Sequence, residues 1–205
     1  MAEQLSVREL LDKYGTTYAE EAGIRLRDKP SPLYQLLVLT TLLSVRISAD
    51  IAVAAARELF KAGWRTPKAL LESTWQQRVD ALGRAGYRRY DESTATYLAE
   101  GAELLLDSYH GDPRRLRAEA DSDSRELRRR LKRFPRIGEV GTHIFCREAQ
   151  QVWPELRPYF DSRAMTGAER AGLPTDEKRL ADLVPGDEIA RLAAALVRVS
   201  LERRR

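Results

Sequence analysis

The sequence predicts an all-α fold. Cap residues recur just before stretches in which apolar side chains return at helical spacing. Pro and Gly punctuate the gaps between those stretches. No alternating apolar–polar run with hairpin punctuation reads as a strand, and no fixed-period repeat is evident.

The elements follow in order. Ser6-Val7-Arg8-Glu9 has the form of a capping box that opens a first helix. Pro30 and Pro32 mark a loop, and residues 33–44 are apolar nearly all round, as in a buried helix. Ser48 is placed to cap a helix over 49–61, with Ile51, Ala54, Ala55, Leu59 and Phe60 on one face. Thr66-Pro67 puts a cap residue before a proline at the first helical position. Ser73 or Thr74 caps a helix that stops near Gly83. Residues 87–109 form a long helix, ended by His110-Gly111-Asp112-Pro113. Further helices fit 122–133, 138–151, 162–171, 176–183 and 187–202.

Composition narrows the class. A chain of 205 residues can build one sizeable core or two small lobes. An apolar fraction of 43% with 32% charged residues fits a soluble globular protein, and no run of about 18 apolar residues offers a transmembrane helix. Met1-Ala2-Glu3-Gln4-Leu5 lacks the basic and apolar regions of a signal peptide. The single cysteine, Cys146, excludes an intrachain disulfide and points to the cytoplasm. His110 and His143 sit in no metal-ligand pattern, so no metal or other cofactor is expected. There is no nucleophile elbow and no Gly-rich phosphate loop with a lysine. Trp64, Trp75 and Trp153 read as core or lobe-packing residues.

The net charge of +4 and a pI near 9.3 mildly favour a polyanionic partner. The charge is concentrated. From Arg114 to Glu148 there are eleven Arg or Lys residues against six Asp or Glu. Leu127, Leu131 and Phe134 make a narrow apolar stripe, with arginines around it. Such a run reads either as a solvated helix face or as a phosphate-binding surface.

Directly after it comes Phe134-Pro135-Arg136-Ile137-Gly138. Proline ends the preceding helix, and Gly138 permits a positive φ or close backbone approach. The next helix begins there, so its first amides lack intrahelical partners and, with the helix dipole, suit a phosphate oxygen. An ordinary turn between packed helices is the other reading. In Tyr159-Phe160-Asp161-Ser162-Arg163, Asp161 is well placed as a helix N-cap. A cap held rigidly at a helix start is also a way to aim a carboxylate, which can stabilise positive charge on a sugar or orient a water.

Five segments in the same order resemble the helix-hairpin-helix DNA glycosylase superfamily, endonuclease III-like. They are Leu42 to Ser48, Gly83-Arg84-Ala85-Gly86-Tyr87, Leu131 to Gly138, Phe160-Asp161-Ser162 and Ala168 to Pro174. The resemblance spans roughly Pro30 to Pro174. It implies a two-lobed helix-hairpin-helix glycosylase fold with a central DNA-binding cleft. One lobe covers 30–144, and the other combines 1–29 with 145–205. It also implies base-excision repair on double-stranded DNA by a cytoplasmic monomer, nucleoid-associated if bacterial. A DNA-binding protein of the same fold with little or no catalysis is the alternative.

Carried over by position, Asp161 matches the catalytic aspartate. Arg46 falls where relatives place a polar side chain that fills the gap left by a flipped base; an exposed loop arginine is the plain reading. Arg133, Arg136, Ile137, Gly138, Val140 and Gly141 match the DNA-binding hairpin and the turn after it. Val140, His143 and Ile144 fall where a base pocket is expected, although His143 reads first as a partly buried packing histidine or a DNA-facing residue. Val140 stands where endonuclease III carries its lyase lysine, so no Schiff base can form there and a monofunctional glycosylase is implied. Arg136 replaces the first hairpin glycine. Thr40 or Thr41 stands near the glutamate of adenine-excising relatives, so an adenine–mismatch activity is not implied. One cysteine cannot hold the iron–sulfur cluster of many relatives.

Overall fold

The computed structural model describes residues 6–202, and among them every regular element is helical. The chain forms two compact units. One is Ala22–Phe145, and the other joins the chain up to Glu21 with the chain from Cys146 onward. The sequence placed the first boundary at residue 30. Ile24 is buried, however, and Asp28 pairs with Arg117 at 2.9 Å, which ties the preceding stretch into the Ala22–Phe145 unit.

The first helix, α1 (Val7–Tyr14), opens with the expected capping box. Ser6 Oγ accepts from the Glu9 amide at 3.3 Å, and the Glu9 carboxylate accepts from the Ser6 amide at 2.8 Å. A four-residue α2 (Tyr18–Glu21) follows, too short to leave a readable period.

In the Ala22–Phe145 unit, α3 is Pro30–Leu43, so Pro30 and Pro32 lie inside its first turn rather than in a loop. A first-turn residue has no intrahelical acceptor for its amide, so proline loses nothing there. Leu33, Leu36, Leu39 and Leu42 are buried on different sides of α3, as its all-round apolarity predicts. Ser48 caps α4 (Ala49–Lys61) by accepting from the Ile51 amide at 3.3 Å. The buried face of α4 is Ala52, Val53, Ala55, Ala56, Leu59 and Phe60, one position round from the predicted face. Thr66 caps α5 (Pro67–Leu71), and Thr74 rather than Ser73 caps α6 (Trp75–Arg84). Ser73 turns inward and binds the buried Arg78 guanidinium at 3.0 Å.

The long helix α7 is Asp91–Tyr109 and starts later than the sequence predicts. Tyr87 is buried and donates to the Leu42 carbonyl at 3.1 Å, so it is pinned to the end of α3 instead of winding into α7. The sequence pattern missed α8 (Arg114–Glu119), a short basic helix after the Asp112-Pro113 stop. It found α9 (Ser124–Leu131) and α10 (Glu139–Ala149), each shorter than predicted.

The other unit adds α11 (Ser162–Arg170), α12 (Glu177–Ala181) and α13 (Ile189–Leu201). Its core brings Leu10 and Leu11 of α1 together with Ala164 and Ala168 of α11 and Leu192, Ala193 and Leu196 of α13. Helices α11 and α13 pack closely because Gly167 has no side chain: a Cβ there would lie 1.8 Å from the Leu196 carbonyl oxygen. Trp153 is fully buried, Trp64 half-buried, and Trp75 is exposed with its indole N–H donating to Thr96 at 3.2 Å, so Trp75 is not a core residue. No helix among the described residues is long and apolar enough to cross a membrane.

Candidate functional site

The hairpin lies in the Ala22–Phe145 unit, between α9 and α10. Phe134 is buried and stacks on Tyr109, with ring centroids 6.2 Å apart. Phe134 and Pro135 also lie beside Gly101 of α7, where a Cβ would sit 3.8 and 4.0 Å from their side chains. This apolar seat fixes the turn. Its polar rim is Arg133, which donates to the Tyr109 hydroxyl at 3.3 Å, and Arg136.

The left-handed residue of the turn is Arg136, with φ 66°. Gly138, where the sequence allowed a positive φ, has an ordinary backbone. An arginine thus occupies a conformation usually left to glycine, which is a costly local geometry. Its guanidinium carbon lies 4.9 Å from the centre of the Tyr97 ring on α7, a cation–π contact that holds the strained turn against that helix.

Helix α10 starts directly after the turn. Ile137 and Gly138 direct their amides to the Phe134 and Arg136 carbonyls at 3.1 and 3.2 Å, while Glu139, Val140 and Gly141 form the first turn of the helix. First-turn amides have no intrahelical acceptor and point along the axis. Gly138 is exposed, and nothing lies within 4 Å of the position a Cβ would take. Gly141 differs: a Cβ there would be 2.5 Å from Ser44 Oγ and 3.1 Å from Ile137 Cγ2. Ile137 and Gly141 are both buried. They place the turn against α3, and any part they take in binding passes through backbone atoms. Ser44 in turn donates to the Thr40 carbonyl at 2.7 Å and closes α3 before the turn that carries Arg46. Arg46 is exposed.

Of the three residues expected at a base pocket, Val140 is 53% exposed, His143 is half-buried and Ile144 is buried. Only Val140 and His143 reach the surface of this unit.

The arginines of α9 are largely paired. Arg129 meets Glu126 at 2.6 Å, Arg130 meets Glu126 at 2.8 Å and also Glu119, and Arg128 meets Glu139 at 3.0 Å. The Arg129 guanidinium beside Glu126 holds that carboxyl down to about 2. Lys132 also bonds to Glu139 and holds its carboxyl below the usual range. Much of the positive charge of α9 is thus locally paired with the glutamates of the same stretch, an arrangement that a count of charges does not reveal.

Asp161 lies in the other unit, 7% exposed. It is the N-cap of α11, as the sequence predicts: Oδ1 accepts from the Ala164 amide at 3.0 Å. Oδ2 accepts from Nη1 of Arg147, itself only 5% exposed. Beside Arg147 on α10, Glu148 is buried and accepts from the Tyr18 and Ala19 amides at 3.3 and 2.9 Å, which fixes the start of α2. Burial pushes the Glu148 carboxyl above its ordinary value. Gln150 clamps the Tyr159 backbone from both sides, at 3.0 and 2.9 Å, and so sets the approach to Asp161. Sequence reasoning missed Arg147, Glu139 and Tyr97. The one visible signal was the charged pair Arg147-Glu148 embedded in an apolar stretch from Ile144 to Ala149.

No family model matches the chain, and no curated protein matches it. Among solved structures it is similar to a non-covalent endonuclease III–DNA complex, with a TM-score of 0.52, and to a trapped endonuclease III–DNA covalent intermediate, an estranged-adenine complex, with a TM-score of 0.51. In both cases the identity is 17%, and the match covers 96% of this chain and 85% of the other. The chain has the all-α, endonuclease III-like helix-hairpin-helix fold.

Proposed function

We propose that this protein, built on the endonuclease III-like fold, binds double-stranded DNA through its hairpin face and removes a base from it as a monofunctional glycosylase. The supporting observation is a carboxylate, Asp161, held rigidly at a helix start on a fold that solved structures share with endonuclease III bound to DNA. A phosphate oxygen would approach Gly138 and the first amides of α10, flanked by Arg133 and Arg136. Arg46 would enter the stack at the extruded base, with Val140 and His143 toward that base and Ile144 behind them. Asp161 would stabilise positive charge on the sugar. Val140 offers no amine, so the abasic strand stays intact.

A second reading is DNA binding without excision. It is favoured by the engagement of both Asp161 oxygens, one in the cap and one with Arg147. A carboxylate already neutralised by a buried guanidinium stabilises a developing cation less well.

The discriminating experiment is excision on a panel of lesion-containing duplexes, with binding measured on the same duplexes. Excision that disappears in Asp161→Asn while binding persists supports the glycosylase. Binding with no excision anywhere on the panel supports the second reading, and absence of DNA binding rejects both.

A further inference from the structure

Glu139, the first residue of α10, is the meeting point of three basic side chains. Its Oε1 accepts from Arg128 Nη1 at 3.0 Å and lies 3.4 Å from His143 Nε2, while Oε2 is bonded to Lys132 Nζ. The carboxylate is 53% exposed, so water and ions reach it. It stands at a helix start directly after the turn, where orphan amides and the helix dipole favour an anion. Two cations of the same turn meet no carboxylate among the described residues: Arg133 bonds to the Tyr109 hydroxyl, and Arg136 lies over Tyr97.

We infer that Glu139 is an internal competitor for DNA phosphate, whose carboxylate occupies Arg128 and Lys132 until a phosphate displaces it. The inference rests on the reading that this face binds DNA. Carboxylate and phosphate oxygens are the same kind of acceptor for guanidinium and ammonium donors. Exposed ion pairs are weak, so the exchange is cheap. After it, the Glu139 charge remains beside the bound phosphate and opposes it. The chain thus carries two classes of hairpin cation: Arg133 and Arg136, ready for phosphate, and Arg128 and Lys132, masked by Glu139. Masking lowers affinity for any DNA backbone and leaves the cations available when DNA geometry brings a phosphate close.

The opposite view is that Glu139 braces α9 against α10, in which case removing its charge loosens the turn and weakens binding. The two views differ in sign. Fluorescence anisotropy on an undamaged duplex across a salt series compares the parent, Glu139→Gln, and Glu139→Gln combined with Arg128→Ala and Lys132→Ala. One like charge removed about 5 Å from a phosphate is worth on the order of fourfold in affinity at low salt. Glu139→Gln should bind tighter by that factor. The gain should vanish in the combined variant. If the parent binds and Glu139→Gln binds equally or more weakly, the competitor role is overturned and the DNA-binding reading stands. If neither protein binds, both are overturned.

Discussion

Arg147 and Asp161 form a buried ion pair in which the guanidinium donates to Oδ2 while Oδ1 caps α11. One carboxylate therefore closes a helix end and neutralises a buried cation. Removing the negative charge while keeping the cation buried costs about 3–5 kcal/mol in comparable pairs. Asp161→Asn should accordingly lower the urea midpoint clearly. Adding Arg147→Met should recover part of the loss, because the buried charge is then gone as well. A single variant as stable as the parent would show that the pair contributes nothing to folding. Any loss of excision in Asp161→Asn has to be read at a temperature where the variant is folded.

The chemistry at Val140 gives a second expectation. On the proposed reading, strand cutting would need an amine where Val140 presents only an exposed isopropyl group. Borohydride added during turnover should trap no protein–DNA adduct, and the abasic product should stay uncut. A trapped adduct would mean that another amine does the work and would end the monofunctional assignment.

Arg136 supports a third prediction. Its left-handed backbone costs about 1–2 kcal/mol for a residue with a Cβ, against about 0.5–1 kcal/mol returned by an exposed cation–π contact. Arg136→Gly should leave stability unchanged or slightly raised, since glycine accepts this conformation freely. If the guanidinium leaves Tyr97 for a phosphate, the same variant lowers the salt slope of DNA binding by about 0.9. An unaltered slope would mean that it stays on the ring.

Arg46 supports a fourth. It is exposed in the turn between α3 and α4. Arg46→Ala should change stability by less than about 0.5 kcal/mol. It should reduce the fluorescence of 2-aminopurine at the target position if extrusion needs a side chain in the gap. Equal signals from variant and parent at saturating protein would remove Arg46 as the wedge.

Two glycines make the fifth. Gly167→Ala would drive a Cβ into the Leu196 backbone, and that contact cannot be relieved by a rotamer change. It should cost about 3 kcal/mol or more by denaturant titration, at the upper end for overpacking. Gly138→Ala meets open space and should cost less than about 0.5 kcal/mol. If a phosphate approaches the Gly138 backbone, that methyl group should still weaken DNA binding. Normal affinity in Gly138→Ala would place the DNA elsewhere.

The sequence by itself determined most of the longer helices and several of the caps that open them, but not α2, α8 or the start of α7. Ser6, Ser48, Thr66, Thr74 and Asp161 each cap the helix that follows, because a cap is a hydrogen bond across three residues and so is written locally. It also located the hairpin, because proline and glycine act on their own backbone. Tertiary structure decided the rest. Tyr87 leaves α7 to reach the Leu42 carbonyl, Arg136 rather than Gly138 takes the left-handed position over Tyr97, and Glu139 gathers Arg128 and Lys132. Arg147 finds Asp161 in the same way. Each of these contacts joins residues that are distant along the chain or on separate helices. Nothing in local periodicity specifies which of many equivalent arginines or tyrosines will meet, and only the packing of helices within each unit selects the pair.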